Sequence, residues 1–335
     1  MGDLFETRRG IRGRVIRTAS IAACAALLAS CAVIERSSVP SGGGEPSGAS
    51  SEPSLNLDGH WLAFTSSAAN LAANDGNHTT DVFVRDQQTH AIELVSRTAG
   101  GAAGNAASDR PSISDDGTRI AFRSSATDLA AGGDAVPAIY VRDLTAGTTT
   151  RVSVSAIGGD ADLLSTEPAL SGNGRFVAFT SAATNLVTGD GNALADVFVR
   201  DLVARTTTRV SVSSNTVEAN KASSGASLSR DGRFVSFLTN ATNLVTGASG
   251  TQVYVRDTRD LTTIRPLSET SASWARLSSD GRYLAVQGFS TVILCDRFAP
   301  ATTTLGNWVF PSFSGSGRYL AAIGGSILVA MPNSL

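Results

Sequence analysis

Cysteine is scarce in this chain: three occur among 335 residues, at Cys24, Cys31 and Cys295. The first two fall in a targeting segment, so Cys295 stands alone in the remainder and an intrachain disulfide is excluded there. A single thiol inside an apolar run reads as a small buried hydrophobe. Histidine is equally sparse. His60, His78 and His90 lack the H-E-x-x-H spacing of a metal-binding helix, and no G-x-S-x-G nucleophile elbow exists. We therefore expect no enzyme. Past the first few residues no Lys/Arg-rich run occurs, and the formal net charge is −2. That removes the electrostatic footprint of a nucleic-acid binder. No long helical pattern occurs. Thr, Ser, Val, Ala and Gly dominate, with 42% hydrophobic and 17% charged residues, which favours a packed all-β fold over disorder.

The amino-terminal segment reads as an address. Arg8, Arg9, Arg12, Arg14 and Arg17 precede a short apolar run, Thr18 to Ser30. That run is shorter than the roughly 20 residues of a membrane span, and it fits a signal peptide over residues 1–30. It ends in Leu28-Ala29-Ser30-Cys31, which resembles the bacterial lipobox. The resemblance implies that Cys31 is the lipid attachment site and becomes the first mature residue. Lipid would tether the chain to a membrane without spanning it. Ala32, where an Asp would signal retention, implies the outer membrane facing the periplasm.

The main feature is internal repetition. Asp58-Gly59-His60-Trp61-Leu62-Ala63-Phe64 recurs at Asp116–Phe122, Asn173–Phe179 and Asp231–Phe237, and more weakly at Asp280–Val286 and Ser316–Ala322. A second motif follows the first four copies: Val82-Phe83-Val84-Arg85-Asp86, then Ile139–Asp143, Val197–Asp201 and Val253–Asp257, with a degenerate copy at Val292–Asp296. Each unit predicts four strands. Strand A precedes the Asp-Gly turn, strand B is the Phe-Val-Ala-Phe run, strand C is the Val-Phe-Val-Arg run, and strand D is the Thr-rich run at Thr149–Val154 and Thr207–Val212. The glycine supplies the positive φ of a tight A–B hairpin, and the Asp ending strand C caps the C–D turn. Both faces of strand B are apolar, so each sheet must be covered on both sides, which sheets packed around an axis achieve.

The S-x-D-G-R-x-(V/L)-A-F repeat followed by V-(F/Y)-V-R-D resembles the WD40-like "PD40" repeat of TolB-type propellers, over about residues 54–330. The resemblance implies an all-β, six-bladed β-propeller of four-stranded antiparallel blades over residues 52–335, preceded by residues 31–51. It also implies a binding role, because propellers of this type hold protein or peptide partners. We accordingly expect a monomeric scaffold of the cell envelope with an envelope protein or peptide as partner. The alternative is a glycan- or small-molecule-processing enzyme, or a calcium-binding propeller.

The sixth unit lacks a strand D. Arg36 precedes Gly59 by the same interval that separates Arg209 from Gly232, and Glu52-Pro53 aligns with Glu167-Pro168. Residues 32–39 thus read either as the missing strand, closing blade six, or as the start of a Ser/Gly/Pro linker. Closure would turn the A–B and C–D end toward the membrane and the long B–C and D–A connections away from it.

The B–C connections carry the candidate metal residues Asp75, Asn77 and Asp81 in unit one and Asp190, Asn192 and Asp196 in unit three. Oxygen donors at this spacing suit calcium. The same residues also tie Asx-turns. The Arg of each V-R-D is expected to pair with a neighbouring Asp.

Overall fold

The computed structural model describes residues 36–268, 271–288, 291–299, 301–304, 309–313, 319–323 and 331–332. The signal peptide, Cys31 and residues 32–35 lie outside the described residues. Every regular element described is a strand. The first blade holds β1 (Ser50–Leu55), β2 (Trp61–Ser66), β3 (Asp81–Asp86) and β4 (Ile92–Leu94). The second holds β5 (Ser108–Ile113), β6 (Arg119–Ser124), β7 (Ala138–Asp143) and β8 (Thr148–Arg151). The third holds β9 (Ser165–Leu170), β10 (Phe176–Ser181), β11 (Asp196–Asp201) and β12 (Thr206–Arg209). The fourth holds β13 (Ser223–Leu228), β14 (Phe234–Thr239), β15 (Gln252–Asp257) and β16 (Thr262–Ile264). The fifth holds β17 (Trp274–Leu277), β18 (Tyr283–Gln287), β19 (Val292–Asp296) and β20 (Ala301–Thr304). A last group comprises β21 (Val309–Phe313), β22 (Tyr319–Ile323) and β23 (Met331–Pro332). Five antiparallel sheets of four strands and one of three thus appear among the described residues, each a meander in chain order.

Every sheet packs against the next through its inner strands, as β2 with β5, β6 with β9, β10 with β13, β14 with β17 and β18 with β21. The cores lie between sheets, each drawing residues from two neighbours: Ala63, Val82 and Val84 of one sheet join Ile120, Phe122 and Tyr140 of the next. Stacked ring pairs join the middle strands within a sheet, such as Phe122 with Tyr140 and Phe179 with Phe198. In blades two to five both faces of strand B are therefore covered, as its apolar composition requires. The first strands of all six sheets line one common cavity of about 1030 Å³. Sheets stacked around a shared channel define a β-propeller.

Two local features set the blade geometry. Gly117, Gly174, Gly232 and Gly281 close the A–B turns at φ of 67 to 76°. A Cβ on Gly232 would stand 2.3 Å from the Phe176 ring of the preceding blade, so this glycine serves both the turn and the packing. Strand D ends earlier than its sequence suggests, at Arg151 and Arg209 instead of Val154 and Val212. The reason is a serine two residues further on. Ser153 Oγ accepts the Ile139 N–H, and Ser211 Oγ accepts the Val197 N–H, in place of a backbone carbonyl.

The Asp that ends strand C caps the C–D turn, as Asp201 Oδ1 accepts the Val203 and Ala204 N–H groups. The expected pairing of the V-R-D arginines is corrected. Arg142 and Arg200 donate to Thr149 and Thr207 on strand D, and Arg256 donates to Thr263 and to the Ser213 carbonyl of the preceding blade. Adjacent strand residues point to opposite faces, so this Arg and the following Asp cannot share a partner. The Asp instead binds the basic side chain that follows the turn glycine, across the B–C pair. Arg119 meets Asp143, Arg175 meets Asp201, Arg233 meets Asp257 and Arg282 meets Asp296, with His60 on Asp86 in blade one.

The segment after Arg36 is seated on blade one as the connection leaving blade three is seated on blade four. The Ser41 hydroxyl accepts the Ile92 N–H, as Ser214 accepts that of Thr263. The Asn70 side chain bonds the Glu45 carbonyl and the Ser47 N–H, as Asn243 bonds the Glu218 carbonyl and the Asn220 N–H. Ser41 and Ser214, Asn70 and Asn243, Glu45 and Glu218, and Ser47 and Asn220 are all separated by the interval that relates Arg36 to Arg209.

Candidate functional site

The channel wall is built from the A strands. In blades one to four each A strand carries a bulge where it pairs with strand B, between Ser51 and Ser54, Asp109 and Ser112, Thr166 and Ala169, and Ser224 and Ser227. The bulge residues are Glu52, Arg110 and Glu167, all at φ 54°, and Gly225 at φ 66°. A left-handed conformation at three non-glycine residues stores strain that surrounding contacts must hold. They do so here. Glu52 Oε2 accepts the Arg110 N–H at 2.8 Å and the Thr65 hydroxyl at 2.9 Å. Glu167 Oε2 accepts the Gly225 N–H at 2.9 Å and the Thr180 hydroxyl at 3.0 Å. One row of side chains thereby links neighbouring blades across the wall. A second row runs through Ser54 to Ile113, Ser112 to Leu170 and Ser227 to Leu277.

Cations also face this space. Arg110 lies 3.6 Å from Glu167. Arg276 of blade five lies 4.3 Å from the centre of the Trp274 ring and donates to the Ala275 carbonyl. Desolvation pulls its guanidinium down to about 10, against the opposing pull of the Glu167 charge. It lines both the main cavity and a smaller adjoining space of about 170 Å³, whose wall also carries the Arg230–Asp115 pair at 2.7 Å. Sequence reasoning missed this wall. The available signal was the column Glu52, Arg110, Glu167 and Gly225, where one repeat replaces a charged residue by glycine.

The B–C connections bring the sequence-derived metal candidates together in two clusters. Asp81 and Asp196 are fully buried at the start of strand C. Asn77 donates its amide to Asp81 at 2.7 Å and to the Gly104 carbonyl, and Asn192 does the same to Asp196 at 3.0 Å and to the Ala219 carbonyl. The asparagine oxygens accept the N–H groups of Thr79 and Leu194, so both asparagines make Asx-turns. In blade three the cluster includes Glu218, which the sequence did not flag. Its carboxylate, with those of Asp190 and Asp196, offers oxygens within 4.8 Å of one another. Arg209 stands among them, 3.2 Å from Asp190 and 3.7 Å from Asp196, in contact with Glu218. Burial pushes the Asp190 carboxyl up to about 6 and raises Asp196. In blade one burial raises Asp75, and burial pushes Asp81 up to about 6. His60 on the A–B turn of blade one binds Asp86, and His90 on its C–D turn contacts Arg85, which gives both a structural role at that end of the blade. Cys295 is buried in the fifth blade.

No family model matches the sequence, and no curated protein matches it. Among solved structures the chain is similar to a prolyl endopeptidase from a study of two such enzymes, at 13% identity over 82% of this chain and 39% of that one, with a TM-score of 0.53. It is similar to the tricorn protease at 14% identity, over 85% and 32%, with a TM-score of 0.51. TolB from Acinetobacter baumannii matches at 17% identity over 82% and 53%, with a TM-score of 0.43. The chain spans about half or less of the length of these structures. The first two likenesses carry the fold and no activity.

Proposed function

We propose that this chain is a binding propeller of the cell envelope, which takes an acidic segment of a partner protein into its central channel. The single observation that carries the reading is Arg276, a half-buried guanidinium in the channel wall, lowered by desolvation and stacked on Trp274. A cation in this condition gains from a carboxylate delivered by a ligand. Two wall carboxylates, Glu52 and Glu167, already hold the blades together through Oε2, which favours binding over acid–base work at those groups. Six blades, with the ring completed by the segment from Ser37 to Ser47, are the fuller architecture we infer from the repeated bonds of Ser41 and Asn70. The lipobox-like Leu28–Cys31 supports tethering through Cys31 to the outer membrane, with the protein facing the periplasm.

Trp274 makes the reading measurable, because its ring lies beside the proposed contact. A glutamate-rich peptide is expected to change the tryptophan emission of the protein, whereas its glutamine counterpart is not. Arg276→Gln should abolish the response while leaving the melting temperature within a few degrees. Equal responses to both peptides, or an unaffected Arg276→Gln protein, would overturn the proposal. Arg110→Gly gives an independent check. Loss of left-handed strain gains about 1 kcal/mol and the added chain entropy costs about 0.5–1 kcal/mol, so stability should be nearly unchanged. Peptide binding should weaken if the Arg110 cation contributes.

A further inference from the structure

Blades two, three and four each place an arginine side chain among the oxygens of their own B–C loop. Arg151 meets Asp134 at 2.9 Å and also contacts Asp160. Arg209 meets Asp190, Asp196 and Glu218, and donates to the Gly189 carbonyl at 3.1 Å. Arg265 donates to the Gly247 carbonyl at 2.9 Å and to Gln252 at 3.1 Å, in the blade where the strand-C Asp is itself replaced by an amide. The strand registers pair Tyr140 with Arg151 and Phe198 with Arg209, and in blade one pair Phe83 with Leu94. Blade one therefore has an aliphatic side chain where its neighbours have a guanidinium.

The acids have not gone with the arginine. Asp75 and Asp81 occupy the positions of Asp190 and Asp196, and the supporting bonds are the same in both blades. Ser96 and Ser211 donate to Asp81 and Asp196 Oδ1, while Asn77 and Asn192 donate to their Oδ2. The corresponding position in blade three brings the Asp190 carboxylate to the guanidinium shared with Asp196, and Asp75 is close enough to Asp81 for its charge to raise it. Asp75 is only 7% exposed, and both its carboxylate oxygens are buried without a hydrogen-bond partner. The Thr79 hydroxyl in the same loop is also buried and unpartnered, where blade three has Leu194. Unpartnered buried carboxylate oxygens are costly, and their neighbours relieve that cost with an internal cation.

We propose that blade one binds a divalent cation of the calcium class on Asp75 and Asp81, in the place that an arginine fills in the three following blades. An all-oxygen donor set suits a hard cation. The site is independent of the channel reading, since it belongs to the B–C loop of one blade.

The test is the melting temperature of the purified full chain in chelator, in calcium and in magnesium. A bound ion stabilises by mass action, so calcium at about a hundredfold over its Kd should raise the midpoint by a few degrees. Asp75→Asn should remove the rise, and Asp190→Asn should keep it. Leu94→Arg supplies the guanidinium internally and should melt near the calcium-bound protein while ignoring added ion. Because Leu94 is buried, Asp75→Asn is the decisive variant should Leu94→Arg fail to fold. No rise with either ion would overturn the proposal, as would an equal rise in Asp75→Asn. A rise lost in Asp190→Asn but kept in Asp75→Asn would assign the ion to blade three and also overturn it.

Discussion

At the scale of single residues, the most repeated device is the carboxylate that closes strand C. Asp201 accepts two backbone N–H groups and the Arg175 guanidinium at 2.7 Å. The Arg175 bonds, foremost, hold its carboxyl at about 2, below the ordinary 3.8. A carboxyl lowered in the folded state contributes stability that is full above the unfolded value, and that is lost as pH falls from about 4 toward 2. Arg175→Gln returns Asp201 toward its usual range and reduces that contribution. Thermal melting should therefore show a smaller gap between pH 6 and pH 3 in the variant than in the parent, with the variant the less stable of the two at pH 6. An unchanged gap would mean that the backbone N–H groups alone hold the carboxylate.

At the scale of elements, the turn glycines join each sheet to its neighbour. Gly232 combines φ 76° with the Phe176 ring 2.3 Å from any added Cβ, whereas Gly147, at φ 67°, has nothing within 4 Å. Alanine at Gly147 meets only the left-handed penalty of about 1 kcal/mol. Alanine at Gly232 adds overpacking against the ring and should cost about 2–4 kcal/mol in all. Denaturant titration of the two variants separates turn strain from blade packing, and equal losses would remove the packing role. These elements were legible because Asp-Gly and Val-Phe-Val repeat with strand periodicity. The partners of the V-R-D arginines were not legible, because the threonines of strand D and a carbonyl of the preceding blade, not an Asp, meet these guanidiniums once the strands are paired. The bulges were hidden for another reason. Glu52, Arg110 and Glu167 are ordinary residues in an extraordinary backbone state, held there by bonds from the next blade that no local pattern encodes.

At the scale of the molecule, successive sheets share their cores, so the first and last sheets carry a face that chain order alone does not cover. The segment from Ser37 to Ser47 meets blade one with bonds that elsewhere join one blade to the next. Arg85 adds two more, to the Ser37 and Val39 carbonyls at 3.2 and 3.0 Å. A chain beginning at Gly48 is expected to melt several degrees below one beginning at Arg36, with faster amide exchange in β3 and β4. Equal melting would remove the segment from the ring. Its interval match to the blade-three connection was readable beforehand. The acid clusters were half readable: the aspartates stood out by spacing, but the arginine among them in blade three, and the leucine replacing it in blade one, emerged only when strand registers put those positions side by side.

The seating of the first described residues on blade one has a mechanical side. Tension entering from the amino terminus would be borne first by a small clasp: Arg85 on the Ser37 and Val39 carbonyls, Ser41 on Ile92, and Asn70 on Glu45 and Ser47. These contacts would have to part before any sheet was peeled open.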